Sequence, residues 1–138
     1  MRLNADKKSA IYAISLHLEL IMWGDDFLQI ERNGEDFSAN WVSICEGGDI
    51  SDKGTLTITK QAYEKIVDYL FSIDFSEQED KEMNLSWEIR CFDENDDEVV
   101  GIPFGYWNKE ILSDIIDNLK GILRNDRPFS SIINTINA

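Results

Sequence analysis

The sequence predicts an α+β domain: an antiparallel sheet of about five to six strands, a meander plus a hairpin, covered by two helices and followed by a short C-terminal helix. Three observations carry that prediction. Two separated stretches alternate apolar and polar residues at period two, the signature of half-buried strands. Two others set apolar residues at helical spacing along one stripe. The strands come in groups before each helix rather than alternating with helices one by one, which is the order of an antiparallel sheet. At 138 residues, with 43% hydrophobic and 11% aromatic residues, the chain is most simply one domain, 1–138, able to bury a core without disulfides or metals.

The elements follow in order. From Tyr12 to Met22, Ile14, Leu16, Leu18, Leu20 and Met22 share one face, with Ser15, His17 and Glu19 on the other. Trp23-Gly24-Asp25-Asp26 supplies turn chemistry before a short strand, Phe27–Glu31, with Leu28 and Ile30 inward. Asn33-Gly34 is a hairpin signal, because both residues tolerate positive φ, and a third strand follows over Phe37–Cys45. Gly47 to Gly54 reads as a loop, with Leu56 and Ile58 forming a brief fourth strand. Thr59 is an N-cap for a helix over Lys60–Ser72, whose stripe is Tyr63, Ile66, Val67, Leu70 and Phe71.

Asp74 to Glu82 is an acidic connector. Leu85, Trp87, Ile89 and Cys91 then alternate with Ser86, Glu88 and Arg90. Asp93–Asp97 is a turn, and Val99–Phe104 is the returning strand, with Pro103 suited to an edge or a strand end. The longest helix starts near Asn108, carries Ile111, Leu112, Ile115, Ile116, Leu119, Ile122 and Leu123, and is stopped by Arg127-Pro128. Phe129, Ile132, Ile133 and Ile136 suit a short amphipathic helix at the end.

Charge is the strongest functional signal. The chain has 27 acidic and 13 basic residues, a net of −14. Residues 9–52 hold nine acids and one base (−8), residues 74–98 hold eleven acids and two bases (−9), and the remainder sums to +3. Two concentrated blocks suggest a surface aimed at a basic partner. They also argue against binding to nucleic acid or to an anionic membrane, which requires a basic footprint. Residues 10–22 are interrupted by Ser15, His17 and Glu19, which suits neither a signal peptide nor a membrane span, so a cytoplasmic location is expected.

No catalytic or cofactor motif is present, and neither a cofactor nor a metal is expected. Asp93, Asn95 and Asp97 imitate the start of an EF-hand loop, but Glu98 stands where Gly is needed and Phe104 where the bidentate Glu belongs. His17 is the only histidine and faces the same side as Glu19, an acid–base pair in principle and a wet-face histidine in the simpler reading. One His with two separated Cys is not a zinc ligand set. Cys45 and Cys91 lie in strands in phase with apolar neighbours, either as buried thiols or as a disulfide between strands. Trp41 and Trp87 have core phase, whereas Trp23 and Trp107 sit at element boundaries.

Acids beside aromatics match the make-up of protein interfaces, where aromatic anchors sit in a charged rim. The expected partner-binding residues are Trp23, Asp25, Asp26, Glu35, Asp36, Asp93, Glu94, Asp96 and Asp97; of these, Asp25, Asp26, Glu35 and Asp36 fall in predicted turns where neutralising them should cost little stability.

The strand 85–92, its acidic turn 93–97 and the return 99–104 into Trp107 and a long helix resemble, in build and composition, small acidic bacterial immunity proteins that neutralise toxin domains. That resemblance implies a non-catalytic cytoplasmic protein whose partner is a cognate toxin, in one version a nuclease with a basic cleft that acidic side chains would occupy. A second reading is an acidic secretion-type chaperone acting as a dimer; such chaperones are similar in size and acidity but usually open with a helix. A third is a small enzyme or ligand-binding domain using the sheet face around His17 and Glu19.

Overall fold

The computed structural model describes residues 2–20, 22, 24–75, 85–105 and 109–125. A short 3-10 helix, Ala5–Ala10, precedes β1 (Ala13–Leu20), β2 (Gly24–Asn33), β3 (Asp36–Cys45) and β4 (Ile50–Ile58). Helix α1 (Lys60–Ser72) follows, then β5 (Leu85–Phe92), β6 (Glu98–Gly105) and α2 (Lys109–Leu123). The six strands form one antiparallel sheet in the order β4-β3-β2-β1-β5-β6. The first four strands are a meander, and β5 and β6 join as a hairpin on the free side of β1, so the first strand becomes central.

Alternation decides which face is which. Ile14, Leu16, Leu18 and Leu20 of β1, Leu28 and Ile30 of β2, Ala39 and Trp41 of β3 and Trp87, Ile89 and Cys91 of β5 are buried on one face. Both helices lie on that face: Ile66 and Leu70 of α1 and Leu119 of α2 meet Ile14, Leu16, Leu28, Ile30 and Ile89. The five residues of the α1 stripe are all buried, and Thr59 caps the helix by accepting from the Ala62 N–H at 3.0 Å. Tyr63 anchors α1 to the sheet entry by donating to the Ile11 carbonyl at 2.9 Å. Trp41 and Trp87 are core residues, at 4% and 1% exposure.

Five boundaries differ from the sequence expectation, each for a local reason. Strand β1 ends at Leu20, and Met22, expected on its inward face, is exposed where the chain reverses. Asp25 and Asp26 are not in a turn: reversal is taken up around Met22 (φ 73°) and Gly24 (φ 130°), and β2 starts at Gly24. A Cβ on Gly24 would stand 1.9 Å from the Ile44 carbonyl oxygen, so only glycine lets the two strands close there. The next hairpin turns on Gly34-Glu35 rather than Asn33-Gly34; Asn33 pairs with Asp36, and Gly34 alone takes positive φ, 62°, as in a type II′ turn. Strand β4 begins six residues before Leu56, because Asp52 and Gly54 occupy inward positions that look like loop chemistry in sequence. Helix α2 ends at Leu123, where Arg124 turns left-handed (φ 55°), ahead of Arg127-Pro128. Pro103 is exposed on β6, which ends the strand order as an edge. The Asn108 cap, Trp23, Trp107 and the expected C-terminal helix lie outside the described residues.

Candidate functional site

The antiparallel register divides the candidate acids into three groups. In β2, Asp26 continues the inward phase of Leu28 and Ile30 and is 2% exposed. It belongs to the core side, which corrects its placement in a solvated turn. Asp25, one residue earlier, points to the opposite face.

The second group is at one end of the sheet. Phe92 pairs with Ala13, and Ala13 with Glu31, so the β5–β6 tip and the β2–β3 tip project from the same end. With β1 between the two hairpins, the tips are about three strand spacings apart, roughly 14 Å. Glu35, Asp36, Glu94, Asp96 and Asp97 are exposed there. Asp93 has a different job: its Oδ1 accepts from the backbone N–H of Asn95 at 2.8 Å and of Asp97 at 3.1 Å, holding the turn together. Asp96 reaches φ 61° to close it. At the base of this hairpin Arg90 donates Nε and Nη2 to Glu98 at 3.2 and 3.1 Å. Asp25 is at the other end of β2, roughly 27 Å along the strand. The first acidic block is therefore two surfaces.

The third group surrounds His17 on the face turned away from the helices. The register places Phe27 and Glu88 opposite His17 on its two flanking strands, and Asp25 opposite Glu19. His17 Nε2 lies 2.8 Å from Asp25 Oδ1, and Nδ1 lies 3.6 Å from Glu88 Oε1. Phe27 stacks on the imidazole at 4.2 Å with a 12° interplanar angle. The three side chains are 19%, 35% and 23% exposed, so solvent only partly screens them. Along the sheet, Glu31 accepts from Gln29 and Asn40, and Asn40 accepts from Thr55, a polar network across three strands.

Sequence spacing places only part of this cluster: His17 and Glu19 alternate together, but Asp25 and Glu88 arrive from neighbouring strands through the register. Leu20 pairs with Gly24, which sets Glu19 opposite Asp25.

The cysteines separate completely. Cys45 is exposed and Cys91 buried, both free, and β3 and β5 are three strand positions apart, beyond disulfide reach. Burial, reinforced by Glu98, pushes the Cys91 thiol up to about 12; burial does the same to the Tyr63 phenol, which also reaches about 12. Cys45 is thus not the buried thiol its phase suggests, because it is the last residue of its strand.

A hollow of about 430 Å³ beside the 3-10 helix is floored by Ile11, Phe37, Tyr63 and Val67, with Arg32 at its edge stacked over Tyr12 at 4.3 Å. Among the described residues no helix is long and apolar enough to cross a membrane. Comparison with protein-family models, with curated proteins and with solved structures gave no match.

Proposed function

We propose that this is a non-catalytic acidic protein-binding domain that engages a basic protein partner through the paired hairpin tips, acting as an immunity protein toward a toxin. The observation that carries the reading is the projection of both tips from one end of the sheet, where Glu35, Asp36, Glu94, Asp96 and Asp97 are exposed together. Rigid hairpins hold these carboxylates in place before binding, so little ordering cost falls on association. Their summed field speeds encounter with a positive cleft and sets orientation. A nuclease toxin offers such a cleft because its substrate is polyanionic; carboxylates on the tips would take the positions of phosphates.

A toxin gene is expected beside this one, and the test uses the toxin domain it encodes; a neighbourhood without one counts against the reading. Association is measured at several salt concentrations for the wild type and for a variant combining Glu35→Gln, Asp36→Asn, Glu94→Gln, Asp96→Asn and Asp97→Asn. The expected result is a steep loss of association rate with salt in the wild type and at least a tenfold slower rate in the variant. An unchanged rate in a folded variant removes the tips from the interface.

A further inference from the structure

We propose that His17, Glu19 and Asp25 form a binding site for a divalent first-row transition metal ion of the Zn²⁺ type. One ligand atom from each residue lies within 4.8 Å of the other two. Ligands on bonds of about 2.0–2.2 Å lie roughly 3.4 Å apart along a tetrahedral edge, so small side-chain adjustments bring all three onto one ion. Imidazole nitrogen with two carboxylate oxygens suits Zn²⁺ and its neighbours, whereas Ca²⁺ and Mg²⁺ take six or more oxygens. The site needs no cysteine. Its second carboxylate comes from β2, which is why one histidine and two distant thiols gave no hint of it.

Two independent features surround the imidazole as a metal ligand requires. Glu88 Oε1 lies on the Nδ1 side at 3.6 Å while Nε2 faces Asp25 Oδ1 at 2.8 Å. Drawn in to hydrogen-bond distance when an ion binds, that carboxylate would fix the tautomer that leaves the other nitrogen free for the metal. The Phe27 ring, stacked at 4.2 Å, fixes the ring plane.

The charge balance points the same way. Glu19, Asp25 and Glu88 bring three carboxylates around one imidazole, and Arg90, two residues along β5 on the same face, is engaged by Glu98. A divalent cation supplies the positive charge this cluster lacks. Three protein ligands also leave a fourth tetrahedral position for water or for a side chain of a bound partner. The site stands on its own geometry and does not depend on the tips being an interface.

The test is calorimetric titration of the full, tag-free chain with ZnCl₂. One equivalent should bind with Kd in the micromolar range or tighter, with no heat from CaCl₂. His17→Ala should weaken binding at least a hundredfold, Asp25→Asn and Glu19→Gln at least tenfold, and Glu88→Gln about 10–100-fold through the lost orientation. Cys45→Ser should change nothing. Where circular dichroism shows His17→Ala to be unfolded, the Glu19→Gln and Asp25→Asn pair carries the comparison. No Zn²⁺ binding by the wild type, full affinity in both carboxylate variants, or loss of binding in Cys45→Ser overturns the site.

Discussion

Gly54→Ala should destabilise the protein by about 2 kcal/mol, because strand β4 closes over the face of Trp41. The two residues are register partners, and a Cβ on Gly54 would sit 2.2, 2.6 and 2.7 Å from Trp41 Cζ2, Cη2 and Cε2. Carbon atoms need roughly 3.5 Å, so the indole must withdraw by more than 1 Å or β4 must bow outward. The indole has little room, being 4% exposed, and its Nε1 donates to Asp52 Oδ2 at 3.4 Å. Overpacking of this kind costs about 1–3 kcal/mol; an edge strand yields more readily than a central one, which excludes the upper end. Trp41→Phe removes Cζ2 and Cη2, so in that background Gly54→Ala should cost at least 1 kcal/mol less. Urea denaturation followed by circular dichroism measures all four corners of the cycle. A Gly54→Ala variant within 0.5 kcal/mol of wild type, or a strictly additive double variant, refutes the contact.

Three further predictions follow from burial. Asp26→Ala should lower stability by about 1–3 kcal/mol because it leaves a cavity at a buried position and strips the partner that the carboxylate engages there, whereas Glu35→Gln and Glu94→Gln should stay within about 0.5 kcal/mol; urea midpoints decide, and equal effects would place Asp26 back on the surface. Ellman's reagent at pH 8 should titrate one thiol, Cys45, in the native protein and the second, Cys91, only after denaturation; two fast thiols would contradict the burial of Cys91. Between pH 9 and 12 the unfolded chain loses the Cys91 proton while the native state keeps it, so this contribution is complete below pH 9 and lost as pH rises toward about 12. Integrated over that window the loss is on the order of 4 kcal/mol, with Tyr63 adding in the same direction, and Cys91→Ala should flatten the alkaline limb of a stability–pH curve.

Much of the fold is legible in local pattern. The α1 range, its Thr59 cap and all five buried stripe residues follow from sequence spacing, because an amphipathic helix is specified by neighbours three and four residues apart. The alternation holds over residues 14–20 of β1 and 87–91 of β5 for the same reason at period two, whereas Met22, expected inward, is exposed and Ser86, expected on the polar face, is buried. Expectations fail where a distant strand sets the conformation. Gly24 reads as a turn residue until the Ile44 carbonyl is seen against it, and Gly54 reads as loop until Trp41 is seen over it. Both errors shortened a strand, and the first misplaced Asp25 and Asp26.

The candidate sites divide along the same line. Sequence alone determines that the chain is strongly acidic, that its acids fall in two blocks, and that His17 and Glu19 share a face. Those are properties of composition and of the two-residue repeat, so no long-range contact can alter them. Which acids meet is a property of register and strand order, settled by pairings between residues up to dozens of positions apart. Tertiary structure therefore decided that Asp26 is buried, that the two hairpin tips share an end, and that Asp25 and Glu88 flank His17.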